Sequence, residues 1–408
     1  MKIVQINMVH NSSTGKIMIQ IARTAREKGY EAHTFSVPGF SVRHPEARPE
    51  IPGHTYLGTP FEHGLHYVLG KNLGLNGYFS VFTTAALIRR LKIIQPDIIH
   101  LHNIHNWCLN LPMLMSYVKK SGAKVVWTLH DCWSFTGQCP YFDMVQCERW
   151  KTGCHDCPQC GAYPESRVDH SAMMYRKKQK WFLNMKDATL VTPSNWLADL
   201  ARQSFMGCYP VKVIHNGIDL EVFRPVESDF RAKYGLEDKI VLLGVAFGWG
   251  KRKGLDVFLE LAGRLDEKYR IVLVGTSEEL DSRLPANIIS IHNTDNQQQL
   301  AQIYTAADIL LNPTREENFP TVNLEAMACG TPVITFRTGG SPEMLDETSG
   351  MVVAKNDIDG MLQAIDAVLA DPDITPESCR KRAMDFDMNH RFAEYVSLYE
   401  NLMGKDCR

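Results

Sequence analysis

The 408-residue chain contains no apolar run approaching the ~20 residues of a membrane span, so a helical membrane protein is not expected. It also lacks charge of one sign. Forty-four Lys and Arg against 46 Asp and Glu leave a formal net charge of -2, which gives no electrostatic case for nucleic acid. The G-x-G-x-x-G fingerprint of dinucleotide binding is missing. So are low-complexity tracts and internal repeats, beyond two similar halves of alternating strands and helices. The N-terminus enters a strand pattern at once, where a signal peptide would place basic and then apolar residues. A cytosolic chain is therefore expected, and there the eleven cysteines read as free thiols or metal ligands rather than a disulfide framework.

The length predicts two or three domains, and 44% hydrophobic against 22% charged residues supplies material for two cores. Strands are expected at 2–7, 31–37, 97–101, 124–128, 189–192 and 211–214. In the second half they are expected at 240–246, 270–275, 288–292, 309–311 and 332–336. Helical periodicity separates many of them, which predicts an α/β protein with two parallel sheets. Residues 38–76, aromatic and rich in Gly and His, read as a long functional loop.

The chain is organised around residues 312–340, NPTREENFPTVNLEAMACGTPVITFRTGG, which read as strand, loop, helix, strand. The helix is expected to start near Phe319 or Pro320, because proline suits the first helical turn, and to stop at Gly330. Unpaired N–H groups at such a terminus attract phosphate. Glu317 and Glu325 frame that terminus. A bare anion would be repelled there, whereas a phosphorylated sugar offers hydroxyls to the carboxylates and phosphates to the helix end.

Earlier in the second half, Phe247-Gly248-Trp-Gly-Lys251-Arg252-Lys253-Gly254 joins a strand to a helix start. Glycines beside three cations form a diphosphate site. In the first half, the small residues from His10 to Gly15 precede a helix. His100, His102 and His105 follow a strand, and His130-Asp131 stands just past another. Residues at the C-terminal ends of parallel strands are where open α/β sheets bind ligands.

Glu317-Asn-Phe-Pro-Thr-Val-Asn-Leu-Glu325, with the following Ala-Met-Ala-Cys-Gly-Thr-Pro-Val and the Gly339-Gly340 turn, resembles the E-x7-E region of retaining nucleotide-sugar glycosyltransferases of family 4. The resemblance spans nearly the whole chain and implies the GT-B fold, two Rossmann-like parallel-sheet domains facing an interdomain cleft. It implies an acceptor-side domain at 1–205 with a cysteine-bearing insertion at 131–168. It further implies a donor domain at 206–385 and a C-terminal helix at 386–408 packing back on the first domain. By the same resemblance Glu317, His130, Lys253 and Arg252 are the catalytic candidates. Gly15, Asn195, Gly248, Lys253, His292, Asn293, Asn318, Phe319, Pro320, Thr321 and Glu325 are the donor-binding ones. Gly248 stands where the family has an arginine, and Arg252 is its candidate substitute. The expected partners are a UDP-, GDP- or ADP-sugar donor and a saccharide or lipid-linked acceptor of bacterial surface polysaccharide synthesis, with no nucleic acid. A sugar phosphorylase, a nucleotide-sugar epimerase and a degenerate binding protein are the alternatives.

No cofactor is expected for catalysis, since the leaving phosphate accepts the acceptor's proton in enzymes of this kind. The Asp-x-Asp pairs at Asp357/Asp359, Asp371/Asp373 and Asp385/Asp387 lie outside the expected donor site. Cys139, Cys147, Cys154 and Cys157, the last two in C-x2-C spacing, suggest structural zinc, with buried unmetallated thiols and redox or iron–sulfur roles as the other readings. A basic, aromatic stretch at 173–185 reads either as a solvated face covering a core or as a surface resting on anionic lipid at the inner face of the plasma membrane.

Overall fold

Short apolar segments build two sheets in the computed structural model, which describes residues 1–11, 13–38 and 50–404. The first sheet contains β1 (Lys2–Ile6), β2 (Glu31–Ser36), β3 (His54–Tyr56), β4 (Ile98–Leu101), β5 (Lys124–Thr128), β6 (Ala188–Thr192) and β7 (Val211–Val213), in the order β3-β2-β1-β4-β5-β6-β7. The second contains β8 (Ile240–Val245), β9 (Tyr269–Val274), β10 (Ile288–Ile291), β11 (Ile309–Asn312), β12 (Val333–Phe336) and β13 (Gly350–Val353), in the order β10-β9-β8-β11-β12-β13. All the pairings within these sheets are parallel. A parallel sheet needs cover on both faces, which is why its strands are apolar throughout rather than alternating. In β8 and β11 successive residues feed opposite cores: Val241, Leu243 and Leu310 enter one, Leu242, Ile309 and Leu311 the other.

The contacts divide the chain into Met1–Ile214 with the segment from Phe392 onward, and His215–Arg391. The division falls later than residue 205 because β7 pairs with β6 and completes the first sheet. The last helix is Met388–Leu402. Beyond Phe392 it supplies the first unit with buried Tyr395 and Tyr399, and Tyr399 Oη lies 2.6 Å from Nδ1 of the fully buried His100. Thr128 Oγ1 donates to Tyr395 Oη at 3.4 Å, and Tyr30 Oη donates to Glu400 at 2.6 Å.

Several elements were not expected from the sequence, three of them instructive. Within the supposed loop 38–76, whose residues 39–49 lie outside the described residues, β3 and the helix Pro60–Leu73 appear. That helix has its capping signals, Thr59 accepting from Glu62 N and Gly74 in the left-handed conformation, but its periodicity is inverted. His63, His66 and Gly70 face inward while Phe61, Leu65 and Val68 are exposed, so a reading that seeks apolar residues inside misses it. The third, β13, begins at Gly350, where a Cβ would come within 1.9 Å of Val333 O.

The basic helix Ser171–Phe182 buries Met174, Tyr175, Lys178, Trp181 and Phe182. Its aromatic side thus covers a core. Among the described residues no helix is long and apolar enough to cross a membrane.

Candidate active site

The order of the second sheet reverses between the neighbouring strands β8 and β11, and the loops beyond their C-terminal ends carry most of the expected donor residues. After β8, Gly248 takes φ 84, and Lys251–Lys253 forms a 3-10 turn that delivers Gly254 and the helix Leu255–Arg264. A Cβ on Gly254 would stand 2.5 Å from Pro313 O, so glycine is what lets the two loops touch.

Across that contact Lys253 Nζ lies 2.6 Å from Glu317 Oε2, with side chains only 20% and 16% exposed. Burial works to raise the Glu317 carboxyl. The ammonium of Lys253, the charge of Arg252 and the Asn318 N–H outweigh it and hold the group below the usual carboxylate range. Arg252 Nη1 donates to Glu316 O at 3.1 Å, and its own carbonyl accepts from Arg315 N at 2.8 Å. Arg315 braces both loops: its guanidinium makes two bonds to Asp256, 2.7 and 2.8 Å, and Nε donates to Asn356 Oδ1 at 2.6 Å. Sequence reading missed this clamp. The available signal was an arginine directly before two glutamates in a loop that packs against another backbone.

The glutamate loop is shaped from behind by Gly339, at φ 54, where a Cβ would fall 1.8 Å from Glu317 O. Gly340 N donates to Asn318 O at 2.7 Å. Phe319 is buried and stacks on His215 at 5.0 Å, while His215 Nε2 is 3.3 Å from Glu343 Oε2. Pro320 is extended, φ -71 and ψ 111, so it caps the helix rather than opening it, and the helix runs Thr321–Ala328. No side chain caps that terminus. Glu325, one turn further, accepts a 2.9 Å bond from the hydroxyl of the fully buried Tyr304.

A cavity of about 600 Å³ opens beside these loops, lined by Gly248, Trp249, Lys251, Asp256, Gly275 and Arg283 among others. Glu317, Lys253 and Glu325 do not line it. The Lys253–Glu317 pair thus lies outside the cavity lining. His292 is paired with Asp281 at 2.7 Å and Asn293 is exposed, and neither lines the cavity.

In the first unit the sheet order reverses between β1 and β4, and the expected histidines gather there. His102 Nε2 is 2.9 Å from Gln5 Oε1, and His102 Nδ1 is 3.1 Å from His130 Nε2. An amide oxygen only accepts, so with Gln5 in this orientation His102 Nε2 carries the proton. His130 Nε2 must then donate, leaving Nδ1 as its acceptor nitrogen. Burial lowers the His130 pKa to about 4, with His105 lowering it further and Asp131 opposing, so the ring is neutral at pH 7. Asp131 binds His105 Nε2 at 3.0 Å and accepts from Trp133 N at 2.9 Å. Gly15 lies within the helix Ser13–Glu27, packed so closely that a Cβ would be 2.3 Å from the His10 carbonyl carbon. Asn195 opens the helix Asn195–Gln203 and is exposed.

Cys139, Cys147, Cys154 and Cys157 line one small cavity. The aspartate pairs serve local structure. Asp357 caps the helix Ile358–Ala370, Asp359 pairs with Arg264 at 2.6 Å, and Asp371 accepts from Asp373 N at 2.9 Å. Asp385 pairs with Arg382 at 2.9 Å, and Asp387 accepts from Asn389 N at 2.8 Å.

The chain matches the family "Glycosyltransferase Family 4" over residues 14–222 and "Glycosyl transferases group 1" over residues 237–371. It is 26% identical to an Escherichia coli protein named as a colanic acid biosynthesis glycosyl transferase, WcaC, with 98% of this chain and 100% of that protein covered. Sucrose-phosphate synthase from Thermosynechococcus elongatus is similar in structure, with TM-score 0.72 at 18% identity over 99% of this chain and 100% of that one. Anabaena HepE in complex with UDP-glucose gives TM-score 0.67 at 16% identity over 98% of this chain and 100% of that one. With two parallel sheets in the GT-B fold and both halves matched, this chain belongs to glycosyltransferase family 4 and is a glycosyltransferase.

Proposed function

We propose that the enzyme transfers a sugar, with retention of anomeric configuration, from a nucleotide-diphosphate sugar to a saccharide or lipid-linked saccharide during synthesis of a bacterial surface polysaccharide. The observation that carries this reading is the Lys253–Glu317 pair at the strand-order reversal of the second sheet. It sets a cation and an anion side by side where the donor presents phosphates and hydroxyls. On donor binding the diphosphate takes Lys253, the sugar hydroxyls donate to Glu317, and each charge exchanges one partner for another.

As the glycosidic bond breaks, negative charge grows on the departing diphosphate. Lys253, Arg252 and the uncapped start of the helix Thr321–Ala328 stabilise it where it develops. Glu325 accepts from the ribose. His130, neutral with Nδ1 as acceptor, is assigned to the acceptor side. The leaving phosphate takes the acceptor's proton, so the reaction uses no protein base. The name of WcaC supports the polysaccharide reading, and the UDP-glucose bound to HepE supports a nucleotide-sugar donor.

The test is incubation with UDP-, GDP- and ADP-sugars, following slow hydrolysis with and without inorganic phosphate. Hydrolysis of one donor class that phosphate does not accelerate is expected. Phosphate-dependent release of sugar 1-phosphate would replace this reading by a phosphorylase, and binding of no nucleotide sugar would reject it.

A further inference from the structure

The helix Pro60–Leu73 turns an apolar stripe away from the core. Phe61, Leu65 and Val68 share one face at i, i+4 and i+7, and all three are exposed, Phe61 by 81%. Contacts on the opposite face fix that orientation. His66 Nδ1 lies 2.8 Å from Ser80 Oγ, its Nε2 accepts from Gly77 N at 3.2 Å, and His63 Nε2 lies 3.3 Å from Leu57 O. Gly70 packs so closely on Trp107 that a Cβ would stand 2.6 Å from the ring. Rotating the helix to bury its stripe would break all of these contacts.

The next helix, Val81–Ile94, repeats the pattern. Phe82 and Ile93, 83% and 69% exposed, stand on one face with exposed Ala86 and Arg89 between them, and Val81 is exposed as well. Glu62 joins the two helices, accepting from Phe82 N at 2.8 Å and from the Thr83 hydroxyl at 2.6 Å. Phe61 and Phe82 therefore flank one junction, where the two stripes meet. Apolar side chains gathered in this way on a surface mark an interaction site, whereas single exposed ones do not.

Charge decides what fits this face. The helix Val81–Ile94 carries Arg89, Arg90 and Lys92, all exposed, and no acidic residue. Among the described residues none of the three pairs with a carboxylate. Glu62, the one acid on either helix, is held in the junction. A second copy docked on the same face would bring the cations of both copies together. An anionic lipid surface suits both features, since apolar side chains enter the headgroup boundary while arginine and lysine stems reach the phosphates. We propose that the outer face of the helices Pro60–Leu73 and Val81–Ile94 docks on an anionic phospholipid bilayer, with Phe61, Leu65, Phe82 and Ile93 inserted and Arg89, Arg90 and Lys92 on the headgroups. The basic helix Ser171–Phe182 has its aromatic side in a core and takes no part. Under the proposed function, on which this one consequence rests, the surface holds the first unit where a lipid-linked acceptor lies.

The test is co-sedimentation of the full chain, without substrates, with vesicles of phosphatidylcholine alone or mixed with phosphatidylglycerol. Binding about tenfold tighter or more to the mixed vesicles, weakening as salt is raised, is expected. Phe61→Ser combined with Phe82→Ser should lower that binding by about tenfold or more. Arg89→Gln, Arg90→Gln and Lys92→Gln together should remove the preference for the anionic lipid. All five side chains are exposed and outside the donor site, so both variants should keep the native circular dichroism and the wild-type rate of nucleotide-sugar hydrolysis in vesicle-free buffer. Vesicle binding is read without donor, so a failed donor assay would reject the proposed function and leave this result standing. Absence of pelleting, equal pelleting with both lipid mixtures, or wild-type pelleting of either variant overturns the proposal. A dimer that Phe82→Ser dissociates, in a protein that binds neither kind of vesicle, assigns the face to a second copy instead.

Discussion

Lys253 Nζ and Glu317 Oε2 sit 2.6 Å apart although 64 positions separate them in the sequence. In the absence of donor each satisfies the other's charge, and the two substitutions should therefore fail differently. Lys253→Ala leaves a carboxylate facing the diphosphate and removes a charge-assisted contact of about 1.5 to 3 kcal/mol, so kcat/KM should fall by roughly one to two orders of magnitude. Normal turnover in Lys253→Ala would mean that Arg252 or Lys251 holds the phosphates.

Glu317→Ala should act mainly on kcat, because contacts to the reacting sugar strengthen as its ring flattens and gains charge. Donor saturation curves at fixed acceptor, with donor affinity from calorimetry, separate the effects. A raised KM with kcat untouched would remove Glu317 from the reacting sugar.

Tyr304→Phe probes the ribose assignment without touching a charge. The hydroxyl orients Glu325 at 2.9 Å, and losing one such bond is worth about 0.5 to 1.5 kcal/mol. Donor KM should rise about two- to tenfold with kcat unchanged. A pure fall in kcat would place Glu325 at the reacting centre instead.

Gly339→Ala sets a methyl against the Glu317 carbonyl at a position with positive φ. The left-handed conformation alone costs about 1 to 2 kcal/mol, and the clash must also be relieved by moving the glutamate loop. Activity should fall at least tenfold while circular dichroism at 25 °C stays native. Wild-type kinetics in this variant would show that the loop position is not critical.

Acid should weaken the first unit before carboxylates titrate. Burial, aided by His63, lowers the His66 pKa to about 3, and burial lowers that of His130 to about 4, both from an ordinary 6.5. The folded state binds fewer protons than the unfolded one between these values. The stability they contribute is fully present above about pH 6.5 and is lost as pH falls toward 4, at up to about 1.4 kcal/mol per pH unit for each ring. Denaturant unfolding at pH 7.5 and 5.0 should therefore differ by a few kcal/mol in the first unit. Equal midpoints would mean that neither ring stays neutral when buried.

Local chemistry made much of this legible. Strands buried on both faces announce themselves as apolar runs, and eleven were placed to within a residue or two. What escaped depended on partners distant in the chain. Nothing near Arg315 points to Asp256, nothing near Glu325 to Tyr304, and the helix Pro60–Leu73 hides behind inward histidines. Pro320 shows the limit of a local rule: proline suits the first turn and the cap alike, and its ψ, set by the loop ahead of it, chose the cap.

The hydrogen bond from Tyr399 to His100 also bears on synthesis. The strands β1 to β7 leave the ribosome before the second unit, yet His100 and Thr128 wait for tyrosines 299 and 267 positions further along the chain. At roughly 5 to 20 residues per second, the first unit stands unfinished for about ten to forty seconds while the second unit is made. During that interval the nascent first unit is the species most exposed to chaperones and to proteolysis, and a nonsense codon just before Phe392 would make the condition permanent.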